Sequence, residues 1–160
     1  MKYKIVPPAP DSVGTLETAR RAVPLVPRSE EDCCARVMDR AGVPARNEAK
    51  RWLTFMRALG LVAEAERGYH RTREPLETDR LTAAFRERIY GVEELLDALD
   101  AEEPVSVGGA FEWIADAVPA WERARHADWE RVWHGRVGRL LEWAVLFGLA
   151  ERADGGYVRR

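Results

Sequence analysis

Apolar residues along the chain recur at two periods, and the switch between them marks out the elements. Ala49, Trp52, Leu53, Met56 and Leu59 fall at helical spacing. They predict a helix from Pro44 to Leu59, with proline in the first turn, where it is tolerated. Gly60 ends it, and Leu61–Glu64 and Tyr69–Thr72 then read as the two strands of a hairpin around Glu66-Arg67-Gly68. Upstream, a short helix is predicted from Thr15 to Val23. A second runs from Ser29 to about Arg40, burying Val37, Met38 and one of the two cysteines, with the other half-buried. Ser29 is the cap, and Glu30, Glu31 and Asp32 suit the positive end of the helix dipole. Gly42-Val43 supplies the turn between the last two helices, the arrangement of a helix-turn-helix.

The same script returns. Leu59-Gly60-Leu61-Val62-Ala63-Glu64 is echoed by Phe147-Gly148-Leu149-Ala150-Glu151-Arg152, and Gly68-Tyr69 by Gly156-Tyr157, at a constant offset of 88 residues. A repeat of this kind outranks local signals when a fold is assigned. It predicts two small units within 160 residues: an arm over 1–14, a first unit over 15–73, a linker over 74–79 and a second unit over 80–160. In the second unit one long helix is expected from Arg80 to Leu99, loosened at Gly91. A helix from Ser106 to Val118 follows, with Gly108-Gly109 read as a turn before it, and a third helix spans His126 to Phe147. Trp113, Trp129 and Trp133 are assigned to the core, and the closing hairpin turns on Asp154-Gly155-Gly156.

These residues resemble the tandem winged helix-turn-helix superfamily, most clearly at Gly42-Val43, at Trp52 to Val62 and at Gly68-Tyr69. The resemblance implies a mainly α fold with small β-hairpin wings, two winged-helix-like units in tandem, and a helix from Pro44 to Leu59 that enters the DNA major groove while the wing touches backbone or minor groove. Fold alone does not establish that role, so the residues must carry it. Arg46, Lys50, Thr54 and Arg57 fall on one face of the predicted helix, flanked by Asn47 and Arg51, and the wing adds Arg67, His70 and Arg71. Arg and Lys suit phosphate or guanine, Asn suits adenine, and Thr suits phosphate or a thymine methyl.

The repeat tests the assignment. Shifted by 88 residues, Arg46 becomes His134, Asn47 Gly135, Lys50 Gly138, Thr54 Glu142 and Arg57 Val145; only Arg51 persists, as Arg139. The first unit is therefore the DNA-binding candidate, and the second the candidate for packing, a homodimer surface or a protein partner. Charge agrees: residues 1–79 carry a balance of +2 and residues 80–160 a balance of −4. Trp121 and Trp143 are the expected protein contacts, since aromatic residues anchor interfaces.

The leading expectation is a DNA-binding transcriptional regulator; the alternative is a non-enzymatic adaptor that assembles proteins through its winged helices. Contact with single strands or RNA is a further possibility, without a stacking pair to support it. A positive strip joining Arg46 and Lys50 to the wing would favour DNA, and carboxylates breaking it would favour a protein. A solvated charged face competes with both.

The remaining chemistry is sparse. No phosphate-binding loop or nucleophile elbow is present. His126, Glu130 and His134 are spaced along one predicted helix but reach too far along it to converge on one ion. Neither enzymatic activity, a metal nor a cofactor is expected. Cys33 and Cys34 are adjacent and unsuited to bridging each other. The start of the chain lacks a secretory signal, and no apolar run approaches the ~20 residues of a membrane span. A cytoplasmic protein with no membrane partner is the expectation. A GC-rich genome can produce the lysine-poor composition without any functional reason; with its acidic residues it would also suit a salt-adapted organism, although a net charge of −2 is mild.

Overall fold

The computed structural model describes residues 2, 3 and 5–160. The chain divides into two compact units, Met1–Ile89 and Tyr90–Arg160. It is mainly helical, with eight α-helices and two antiparallel hairpins among the described residues. None of the helices is long and apolar enough to cross a membrane.

The first unit runs α1 (Val13–Ala22), α2 (Glu30–Ala41), α3 (Arg46–Ala58), β1 (Val62–Ala65), β2 (Gly68–Arg71) and α4 (Thr78–Arg88). Ser29 caps α2 as expected, its side-chain oxygen accepting from the Asp32 N–H at 3.1 Å. Gly42, at φ 69°, stops α2 in a left-handed conformation that glycine adopts without strain. The core is drawn from one face of each helix: Leu16 and Ala19, Val37, and Ala49, Trp52, Leu53 and Met56. Both cysteines are buried, where the sequence pattern leaves one of them half-buried.

After α3 the chain turns through a Schellman closure. The Gly60 N–H donates to the Arg57 carbonyl at 3.1 Å and the Leu61 N–H to that of Met56 at 2.9 Å. That turn delivers the wing. β1 pairs with β2 from Val62↔Arg71 to Ala65↔Gly68. A third, single-residue strand completes the sheet: Arg28 and Tyr69 exchange two backbone hydrogen bonds, at 2.9 and 2.7 Å.

The stretch from 74 to 79, expected as a linker, leads into α4, and the division between units comes later, after Ile89. Phe85 of α4 packs edge-on against Phe55 of α3 with ring centroids 6.4 Å apart. The arm also belongs to this unit, since the Tyr3 N–H donates to the Arg88 carbonyl at 2.8 Å.

The long helix expected over 80–99 is two helices. α4 stops at Arg88, Ile89 is extended, and Gly91 at φ 89° starts α5 (Val92–Ala98). The second unit continues with α6 (Val107–Ile114), a 3-10 turn (Ala115–Ala117), α7 (Ala120–Arg125), α8 (Trp129–Leu146), β3 (Ala150–Ala153) and β4 (Gly156–Arg159). Gly108 and Gly109 lie inside α6 rather than before it, with Ser106 as the cap. α7 has no counterpart in the sequence pattern; it is a short helix where the first unit has only a tight turn.

The wing closure is repeated bond for bond. Gly148 donates to Val145 at 3.1 Å, Leu149 to Ala144 at 2.9 Å, and Val105 exchanges two 2.9 Å bonds with Tyr157. The second hairpin uses Asp154 and Gly155, both at positive φ, which matches the strand twist in a two-residue turn.

Candidate nucleic-acid interface

α3 presents its polar face to solvent because its apolar stripe is spent on the core. Arg46, Asn47 and Lys50 are exposed, and Arg51, Thr54 and Arg57 half-buried. The Lys50 side chain keeps 64% of its surface and that of Arg46 63%. The predicted set is thus on one accessible face. In the wing, Arg67 is exposed at the turn, whereas His70 and Arg71 are half-buried in β2. The His70 Nδ1 lies 3.3 Å from the Arg71 carbonyl oxygen, and the Arg71 backbone is tied to Pro24 by a 2.8 Å bond. Arg67 is therefore the most accessible of the three in the wing.

Three cations of this face have carboxylate neighbours. Arg46 lies 3.9 Å from Glu31, Lys50 3.5 Å from Glu30, and Arg57 2.8 Å from Glu64 of β1. Glu30 and Glu31 come from the first turn of α2, where they also serve the helix dipole. The positive strip is broken at these points. Exposed pairs of this kind are worth about 0–1 kcal/mol, so a phosphate can compete for the cation. Glu64 and Glu30 also flank Tyr69, whose hydroxyl pKa is raised, chiefly by burial and then by those two charges.

Ile5 of the arm joins Asn47, Lys50, Arg51 and Thr54 around an open cleft of about 270 Å³. Sequence reasoning missed this residue. Only the chain path from Tyr3 onward brings it to α3.

The equivalent face of the second unit is organised differently. Glu142 of α8 receives hydrogen bonds from Arg152 of β3 and from the Tyr157 hydroxyl of β4. The Arg152 bond, opposed by burial and helped by Tyr157, holds the Glu142 carboxyl below its usual range. Burial, then the bond to Glu142, pushes Tyr157 from 10.0 to about 12. A carboxylate clamped by its own wing occupies the place of Thr54, leaving this face poorly suited to phosphate.

Three tryptophans depart from their expected places, and one of them, Trp129, is half-buried rather than in the core. Trp143 is fully buried and stacks tilted on Phe147 at 5.5 Å, so it does not offer a ring to a partner. Trp113, expected in the core, is 65% exposed because α6 turns Ala110 and Ile114 inward instead. Trp121 is exposed as anticipated. His126 precedes α8 rather than sharing a face with Glu130 and His134. Among the described residues no group of three His, Cys, Asp or Glu side chains could hold a metal. Burial, ahead of Asp32, raises the Cys33 thiol to about 11, which keeps it protonated and unreactive near neutrality.

No significant match is found among curated proteins or solved structures. A family model does match, over residues 1–160. The chain belongs to the halobacterial double winged helix domain family.

Proposed function

We propose that the protein binds duplex DNA through its first unit and acts as a transcriptional regulator. The observation that carries this reading is the exposed face of α3, where Arg46, Asn47, Lys50 and Arg51 crowd the N-terminal half of a helix that follows a tight turn. In helix-turn-helix docking that end of the recognition helix meets base edges. Arg67 at the wing turn reaches for the backbone. Loss from α8 of the cations equivalent to Arg46 and Lys50, with only Arg51 kept as Arg139, and the clamped Glu142 support one reading unit rather than two.

The test is fluorescence anisotropy on labelled duplex at several salt concentrations. Arg46, Lys50 and Arg51 changed together to alanine should weaken binding at all sequences and flatten the salt dependence, by about one unit of slope for each phosphate that α3 no longer neutralises. Binding and slope equal to wild type would reject the site.

A second reading is favoured by a specific observation. Glu30, Glu31 and Glu64 interrupt the cationic strip, and Trp113 and Trp121 are exposed in the second unit. Both features suit an adaptor that assembles with protein. A stoichiometric partner recovered after nuclease treatment, with no duplex binding by the purified chain, would establish that role instead.

A further inference from the structure

We infer that Ile5 is part of the base-reading surface and contacts the C5-methyl group of a thymine. The inference rests on the DNA-binding reading above. The arm is held by Tyr3, bonded to the Arg88 carbonyl at 2.8 Å, and by Val6, which is only 3% exposed. Ile5 itself remains 44% exposed. An aliphatic side chain is left in water while its neighbour is buried, and it stands at the rim of the cleft lined by Asn47, Lys50, Arg51 and Thr54.

The chemistry of the cleft is complementary to one base pair. In the major groove adenine offers an acceptor and a donor that match an asparagine amide, and its partner thymine offers the only methyl group. Asn47 and Ile5 line the same cleft, so one A·T pair can present adenine to the amide and its methyl to the isoleucine. Lys50 and Arg51 supply the charge that holds the duplex there. Burying one methyl group against an aliphatic surface corresponds to on the order of a fourfold change in affinity.

The experiment selects binding sites from a randomised duplex library with the wild-type chain. Each thymine of the selected site is then replaced singly by deoxyuridine, which keeps the pairing and removes only the methyl. The wild type should lose about fourfold in affinity at one position. Ile5→Ala should bind the thymine and uracil duplexes equally. Thr54→Ser should keep the discrimination, which separates Ile5 from the other methyl in the cleft. Thermal unfolding of each variant verifies that it is folded. Wild-type binding insensitive to every uracil, or an Ile5→Ala chain that still discriminates, overturns the inference and leaves the DNA reading in place. Failure of the wild type to enrich any sequence, with Lys50→Ala and Arg51→Ala unchanged in duplex affinity, removes the DNA reading and this inference together.

Discussion

Gly68 approaches Arg28 so closely that a β-carbon on the glycine would stand 2.0 Å from the Arg28 carbonyl oxygen. The two strands can exchange their backbone bonds only with no side chain there. Gly68 also sits at φ 128°, which L residues rarely adopt. Its counterpart, Gly156, would put a β-carbon 2.6 Å from the Val105 carbonyl oxygen, without a positive φ.

Gly68→Ala is expected to destabilise the first unit by about 2–4 kcal/mol, combining steric and backbone strain. Gly156→Ala should cost less, because only the close approach is violated. Urea unfolding of the two variants checks the order; equal losses would show that neither the closer approach nor the backbone angle at Gly68 adds to the cost.

Glu30→Gln with Glu31→Gln removes the carboxylates beside Lys50 and Arg46. If α3 meets phosphate, duplex affinity at low salt should rise by roughly threefold to tenfold, in proportion to weak exposed pairs. The gain should vanish at high salt, where those charges are screened. Anisotropy titrations follow both. A drop in affinity would mean that the acidic turn of α2 takes part in recognition.

Glu142 links stability of the second unit to pH. Its pKa is lowered in the folded chain, first by Arg152. Its contribution is therefore present above the unfolded carboxylate pKa and is lost as pH falls through the folded value. Tyr157, raised to about 12, acts at the other end: its contribution is present below 10.0 and is lost as pH rises through 12. Glu142→Gln should flatten the acid limb and lower neutral stability by about 1 kcal/mol. Five of the six tryptophans lie in the second unit, so their fluorescence during thermal unfolding reports this change.

Glu122 of α7 is 1% exposed and lies 3.5 Å from Arg136 of α8, whose guanidinium stacks over Trp133 at 4.9 Å. Glu122→Leu strands a buried guanidinium and should destabilise by about 3–5 kcal/mol. Adding Arg136→Met should restore most of the stability, since an apolar pair of similar volume avoids desolvating either charge. A double-mutant cycle in urea measures the coupling, and purely additive effects would refute the pairing.

The winged-helix scaffold was legible in the chain because its determinants are local. Helical spacing from Ala49 to Leu59, the Ser29 cap and the glycines at 42, 60 and 148 specify backbone conformation wherever the segment lies. The 88-residue repeat then doubles the signals of the last helix end and its wing, Gly60 and Gly68-Tyr69 returning as Gly148 and Gly156-Tyr157. The polar face of α3 was legible for the same reason: residues at helical spacing share a side before any packing occurs.

Other features depend on residues distant in sequence. Glu30 and Glu31 read as dipole partners of α2, and only packing of α2 against α3 brings them to Lys50 and Arg46. Ile5 reads as part of a loose arm until the bond from Tyr3 to Arg88 carries it to the cleft. The burial of Trp143, the exposure of Trp113 and the intrusion of α7 are decided by which surfaces meet in the second unit. Periodicity assigns a residue to a side of its helix, but the neighbour that covers or charges that side is chosen by tertiary contacts, whose energies no short window of sequence contains.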